Sequence, residues 1–490
     1  MGREWAGALS EHMRRVAALR QVETLLGWDR ETQMPPKGAG QRAEQAAAVA
    51  AALHALETDP RLADWLAEAG DGAEGVVAVN VAEAARSHAR ASRVPAALAA
   101  ELARAAVEGQ TVWAAARAAS DFAGFAPTLK RIVALKREEA ACLADRPGRY
   151  DALLDDYEPG ATVEGVAAVF GRLRPGLVAL RTRIAGARRR PAPLRGDFPE
   201  AAQLALARRV AGVFGYDWAA GRLDLAVHPS SRGTGGDVRI TTRVDEADPF
   251  ECLYATIHEV GHAVYEQGLD PDLAFQPAGA HASMGVHESQ SRLFENHFGR
   301  SRAFCGWLAP AMASAFGNGP DAGSLYGAVN AVAPGFIRTD ADEVHYSLHV
   351  MLRFDLERAL IEGGLEVADL EAAWNDRFLA DFGQTVPDAR RGVLQDVHWA
   401  STAFGYFPTY TLGTIYAAEL DAALRREIDV DAGLAAGDLG PSIAWLGARI
   451  HRRGRLLPAR RLVGEAIGRE PDERALLGYL EAKFGALYDV

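Results

Sequence analysis

The chain has 490 residues, with 53 Lys and Arg against 65 Asp and Glu, a formal charge of −12, and 49% hydrophobic residues. That composition excludes a disordered tail protein, a collagen and a disulfide-dense secreted scaffold. The acidic balance, with no long basic run, argues against nucleic acid as the main partner.

The N-terminal residues carry charges every few positions and lack the apolar core of a secretory signal. Two uncharged stretches, 303–320 and 399–418, are broken by Pro310, Pro408 and small polar residues, so neither reads as a membrane span. Cys142, Cys252 and Cys305 form no CxxC and fit free thiols in a reducing compartment, so a cytoplasmic protein is expected.

Ala, Leu, Glu and Arg at three- and four-residue spacing predict helix almost throughout. Val107, Val112, Ala115 and Ala119 run on towards Phe122 as one apolar stripe. Val344, Leu348, Met351, Leu352 and Leu356 form another, with charged residues on the opposite face. The Ala-rich stretch 46–56 suits close helix packing. Residues 188–193, RRRPAP, cannot continue a helix and mark a sub-boundary near 188–197. Residues 228–236 read as irregular, and the alternating, β-branched run 237–244 as one of very few strands. The prediction is a mainly α protein, one large helical domain over 1–490 with a small β-sheet.

Nine of the thirteen histidines fall between His228 and His398, which directs attention to the middle of the chain. There, His258-Glu259-Val260-Gly261-His262 is an H-E-x-x-H motif inside an apolar-periodic helix. The i,i+4 spacing puts both imidazoles on one face, able to bind one Zn²⁺. Glu259, about 100° around the helix, stands beside the metal and can take a proton from a water the metal has acidified. A catalytic zinc needs a third protein ligand and an open fourth position. His281, His287, Glu288 and Glu295 are the downstream candidates, the last three on a predicted second helix over 285–296. Spacing alone does not choose between His287 and Glu288. Tyr265 and Gly268 exclude the metzincin extension of the motif.

HEVGHAVYEQG followed by GVHESQSRLFEN resembles the carboxypeptidase Taq family, the M32 metallocarboxypeptidases. Asp237-Val238-Arg239-Ile240-Thr241 matches that family's D-x-R-x-T, and 337–342 its I-R-x-x-A-D. Residues 392–399 match G-x-x-Q-D-x-H-W, and LGWDRETQMPP at 26–36 resembles the family's opening, so the likeness spans roughly residues 20 to 420. One departure is His228-Pro229-Ser230 where the family has H-P-F. His228 is expected at the substrate groove, with Ser230 replacing an aromatic of its lining.

The resemblance implies zinc, for which cobalt can substitute, on His258, His262 and Glu288, with Glu259 as general base. Arg338 is expected to read the C-terminal carboxylate of the substrate through its planar guanidinium fork. A structural pairing with Asp340 or Asp342 is the plainer alternative, and Arg239 and Arg353 are possible substitutes. Tyr410 or His398 is expected to stabilise the oxyanion, with Tyr406 lining the site. Against this stands the reading that these aromatics are simple core. Gln395 and Asp396 suit an orienting role. Residues 237–241 are expected near the metal helix as an edge strand, able to take the substrate backbone as an added strand.

The resulting expectation is a cytoplasmic zinc metallocarboxypeptidase releasing single C-terminal residues from short peptides with broad specificity. The resemblance further implies a helical body split by a deep substrate groove and a homodimer. The rival readings are a zinc oligoendopeptidase or dipeptidase and a metal-stabilised helical binding protein without turnover. In that last case His287 or Glu295 would close the coordination.

Overall fold

The computed structural model describes residues 4–145 and 148–490, and the chain forms two units, each assembled from separate stretches. Twenty α-helices and one three-stranded sheet make up the regular structure of the described residues, so the protein is mainly α. None of the described helices is long and apolar enough to cross a membrane.

The first unit comprises residues up to Ser92, Ala192–Val329 and Tyr416–Pro471. Its sheet has the order β1-β3-β2, with β1 at Leu223–Leu225, β2 at Ser230–Thr234 and β3 at Asp237–Thr242. The predicted strand is therefore present but is not an edge. β3 pairs in parallel with β1 and antiparallel with β2, so both sides of its backbone are engaged and no substrate strand can add to it. The stretch expected to be irregular is itself a strand. Gly235 and Gly236 form the two-residue turn of a β2–β3 hairpin, and Gly235 has a φ of 62°, the left-handed conformation such turns favour.

The LGWDRE segment fastens the N-terminal helix Glu4–Thr32 to this sheet. Trp28 lies under the guanidinium groups of Arg222 and Arg239, and Glu31 pairs with Arg232 at 2.9 Å. The Ala-rich stretch 46–56 lies in the helix Ala39–Glu57. It is largely exposed, with Leu53 its one buried residue, so alanine here reflects helix propensity rather than packing.

The second unit comprises Arg93–Pro191, Asn330–Ile415 and Asp472–Val490. The expected stripe from Val107 to Phe122 is interrupted. Ser120 adopts the left-handed conformation after the helix Ala96–Ala119, and Asp121 caps a new helix, Phe122–Leu143, by accepting from the Gly124 N–H. Val107 is 70% exposed, and the face actually buried carries Leu98, Leu102, Ala105, Gly109 and Ala116. The helix Glu343–Glu362 buries all five residues of its predicted apolar stripe. It also buries His345, His349, Arg353 and Glu357 on the face expected to meet solvent.

Candidate metal centre and active site

The H-E-x-x-H motif occupies the helix Pro249–Gln267. Asp248 caps its start by accepting from the Phe250 N–H, and Pro249 takes the first turn, where no amide hydrogen is needed. Ser283 caps the next helix, Met284–Arg292, through the Val286 N–H, and the chain then continues as a π-helix over Leu293–Gly299. The two helices touch backbone to backbone at Gly261. A Cβ there would stand 2.6 Å from the Gln290 carbonyl oxygen and from the Ser291 Cα, so only glycine lets Glu288 approach the two histidines.

Ligand atoms of His258, His262 and Glu288 all lie within 4.8 Å of one another. Three donors on one tetrahedral ion at roughly 2.0–2.2 Å stand roughly 3.3–3.6 Å apart. His258 Nε2 and His262 Nε2 lie 3.7 and 3.4 Å from Glu288 Oε2. The donor set thus fits a divalent cation, and no fourth described His, Cys, Asp or Glu joins the cluster.

The surroundings prepare these atoms. Burial opposes the charge of Glu288, but Arg292 and the two histidines hold its carboxyl well below the usual carboxylate range. The Arg292 Nε–H donates to Glu288 Oε1 at 2.7 Å, which leaves Oε2 facing the histidines. At His258, burial works against the charged ring, yet Glu288 and Glu295 outweigh it and raise the pKa, so that position favours a cation. Burial, with neighbouring His287, drives His262 down to about 3, so its ring is neutral, the form that ligates. Glu295 backs the His258 ring: its Oε2 accepts from His258 Nδ1 at 2.9 Å and from Arg292 at 3.2 Å, while Arg300 donates to its Oε1 at 3.1 Å. Glu259 is 7% exposed, and burial pushes its carboxyl up to about 7, a value suited to accepting a proton near neutrality.

The remaining residues expected at the site in this unit stand apart from that cluster. Arg239 pairs with Asp237 at 2.8 Å and stacks on Trp28, and His228 is exposed in the connection from β1 to β2.

The second unit brings Arg338, His398, Tyr406 and Tyr410 together. The partner of Arg338 is Asp396, not Asp340 or Asp342. The Arg338 Nε and Nη2 groups donate to Asp396 Oδ1 at 3.0 and 2.9 Å, and Nη1 donates to the Tyr346 hydroxyl at 3.2 Å. Arg353, fully buried, takes the other oxygen of Asp396 at 2.7 Å. Gln395 fixes the loop: its Oε1 accepts from the Arg338 N–H, and its amide donates to the carbonyls of Phe336, Arg391 and Gly392. His398 Nε2 is 3.2 Å from the Tyr410 hydroxyl, and burial lowers the imidazole to about 4, so it is neutral. Tyr406 and Tyr410 are half-buried, with ring centroids 5.1 Å apart. The pairings that sequence reasoning missed are those of Arg292, which was legible at four residues from Glu288 and three from Glu295, and of Glu266 and His281, which carry no local signal.

A helical protein with an H-E-x-x-H pair, a carboxylate from the following helix and an adjacent glutamate has the metal centre of an HExxH metallopeptidase. The comparisons narrow this. Residues 8–484 match the family model of carboxypeptidase Taq (M32) metallopeptidases, and the chain belongs to that family. It is 42% identical to thermostable carboxypeptidase 1 of Thermus thermophilus, with 98% of each chain covered. The crystal structure of an M32 carboxypeptidase from Deinococcus radiodurans superposes with a TM-score of 0.95 at 37% identity, covering 99% of this chain and 100% of the other. Metallocarboxypeptidase 1 of Trypanosoma cruzi gives 0.95 at 34% identity, over 98% and 99%. The protein is a metallocarboxypeptidase, a hydrolase that works with a divalent metal.

Proposed function

We propose a zinc-dependent carboxypeptidase that removes single residues from the C-termini of short peptides with broad side-chain tolerance. The observation that carries this reading is the cluster of His258, His262 and Glu288, with Glu259 on the adjacent helical position and, among the described residues, no further ligand to close the coordination. When bound, zinc polarises the scissile carbonyl and acidifies water; cobalt can substitute for it.

Glu259 takes the proton from the attacking water at its carboxylate and delivers it to the leaving amine nitrogen. Arg338 binds the substrate's terminal carboxylate through N–H groups not used on Asp396 and Tyr346, and Asp396 holds the guanidinium plane in place. The Tyr410 hydroxyl or the His398 N–H stabilises the oxyanion developing at the carbonyl, and Tyr406 lines the site. His228 and Arg239 contribute to substrate binding away from the reacting bond.

Residues 1–490 act as one functional domain. None of Cys142, Cys252 and Cys305 is in a disulfide, which supports a cytoplasmic location, and the family resemblance supports a homodimer.

The test is cleavage of one N-blocked short peptide offered as the free acid and as the C-terminal amide, by zinc-loaded enzyme and by Glu259→Gln. The expected result is loss of one residue from the acid alone, abolished in the variant. Equal cutting of both forms would indicate an endopeptidase, and no cutting despite one bound zinc would indicate a binding protein.

A further inference from the structure

The two histidines of the H-E-x-x-H pair are backed differently. A metal-bound imidazole usually donates its second N–H to a carboxylate, carbonyl or water, which fixes ring orientation and tautomer. His258 does so directly on Glu295. His262 has no carboxylate within reach of its Nδ1. That atom instead lies 2.6 Å from Nδ1 of His287 and 3.1 Å from the His287 carbonyl oxygen. His287 Nε2 lies 3.0 Å from Glu266 Oε1, which also accepts from His281 Nδ1 at 2.9 Å.

We infer that His287 and Glu266 are positioning residues for the metal, forming a relay in which a carboxylate orients His262 through an intervening imidazole. The inference rests on the proposed assignment of His258, His262 and Glu288 as ligands.

The proton count supports it. As a metal ligand through Nε2, the nitrogen on the Glu288 side, His262 carries its hydrogen on Nδ1. His287 must then accept at Nδ1 and donate through Nε2–H to Glu266. His281 donates to the same oxygen, so all donors and acceptors along the chain are matched.

The competing reading is a second cation on Glu266, His281 and His287, whose donor atoms also cluster within 4.8 Å. A cation there would take the lone pair of His287 Nε2 and shift its hydrogen to Nδ1. Two N–H groups would then face each other across 2.6 Å. Occupying both sites would force the rings apart or strip a proton from an imidazole, whereas the relay needs neither. His287, adjacent to the proposed ligand Glu288 in sequence, thereby acquires a role outside the coordination shell.

The test is the zinc dissociation constant, measured by competition with a chromophoric chelator, for wild type, His287→Phe and Glu266→Gln, with thermal melts to verify folding. In His287→Phe, zinc affinity should fall about 10- to 100-fold. Glu266→Gln keeps a carbonyl oxygen able to accept both N–H groups, so it should lose less, about threefold to tenfold, and it carries the test if His287→Phe fails to fold. A role in folding alone would lower the melting temperature without moving the dissociation constant. Folded variants that bind zinc within twofold of wild type would overturn the relay. So would a second zinc equivalent in wild type that Glu266→Gln abolishes. Failure of the ligand assignment is separately visible, because His262→Ala would then leave zinc binding intact.

Discussion

Two of the buried polar clusters of this enzyme hold opposite surpluses of acidic and basic side chains. Around the H-E-x-x-H helix, the carboxylates Glu259, Glu288 and Glu295 outnumber the guanidinium groups of Arg292 and Arg300. Around Asp396, the guanidinium groups of Arg338 and Arg353 outnumber the one carboxylate. Buried charges persist only when paired and hydrogen-bonded, so each surplus suits a counter-charge, in keeping with the proposed roles. The first favours a cation and the second an anion. A carboxypeptidase requires both, a metal at the scissile bond and a receptor for the terminal carboxylate.

The comparison can be broken at either end. Glu259→Gln should lower kcat by about 10²- to 10⁴-fold, as expected for removal of a general base, while chelator competition finds zinc affinity nearly unchanged. A comparable loss of zinc affinity would instead make Glu259 part of the cation site. Next in size, Tyr410→Phe should reduce kcat by about 10²- to 10³-fold with little change in KM, because an oxyanion donor acts only in the transition state. A rise in KM alone would assign Tyr410 to substrate binding.

Stability offers a sharper contrast within the unit that holds Asp396. Asp396→Ala leaves two buried arginines without their counterion and should destabilise by about 3–5 kcal/mol in urea titrations, against a smaller loss for Asp396→Asn. Gly261→Ala, in the other unit, forces a methyl against the Gln290 carbonyl and should cost about 1–3 kcal/mol while weakening zinc binding.

A further effect concerns pH. Glu357 accepts from the Tyr150 hydroxyl, the Trp399 Nε1–H and the Gly405 N–H, yet burial still pushes its carboxyl up to about 7 from 4.5. Between those values the folded protein holds the proton more tightly than the unfolded chain does. Its stabilisation is therefore complete below about pH 4.5 and is lost as pH rises through 7. Melting temperature should decline across that window, and the decline should flatten in Glu357→Gln.

The same helix shows where sequence reading succeeds and where it stops. Local periodicity is enough to find the helix Glu343–Glu362 and its apolar stripe. The intervening His349, Arg353 and Glu357 read as a solvent face because no side chain nearby in sequence pairs them, whereas His345 pairs with Asp342 three residues before it. Their partners are distant or aromatic: Asp396 for Arg353, Tyr150 and Trp399 for Glu357, and Phe378 and Phe382 against the His349 ring. Gly405 belongs to the same network, since its N–H reaches Glu357 and its φ of 89° is open to glycine.

At the metal centre the outcome is similar. The i,i+4 histidines and the Glu288–Arg292 pair each lie within a single helix, and Glu295 sits in the π-helix that continues the second one, so all are legible. The place of β3 in the middle of its sheet is not, because three residues of β1 carry no strand pattern of their own. The Glu266–His281–His287 contacts are likewise invisible, since they join a helix to a loop and to the next helix.

The pairing of opposite surpluses is tested most directly by comparing kcat/KM for an N-blocked peptide as free acid and as C-terminal amide, in wild type and in Arg338→Met. Wild type should prefer the acid strongly. Arg338→Met should lose about 10- to 100-fold on the acid, the value of a charge-assisted contact, while its slow cutting of the amide stays the same, so that the preference collapses. An unchanged acid-to-amide ratio in a folded, zinc-loaded Arg338→Met would contradict the account and place the carboxylate receptor elsewhere.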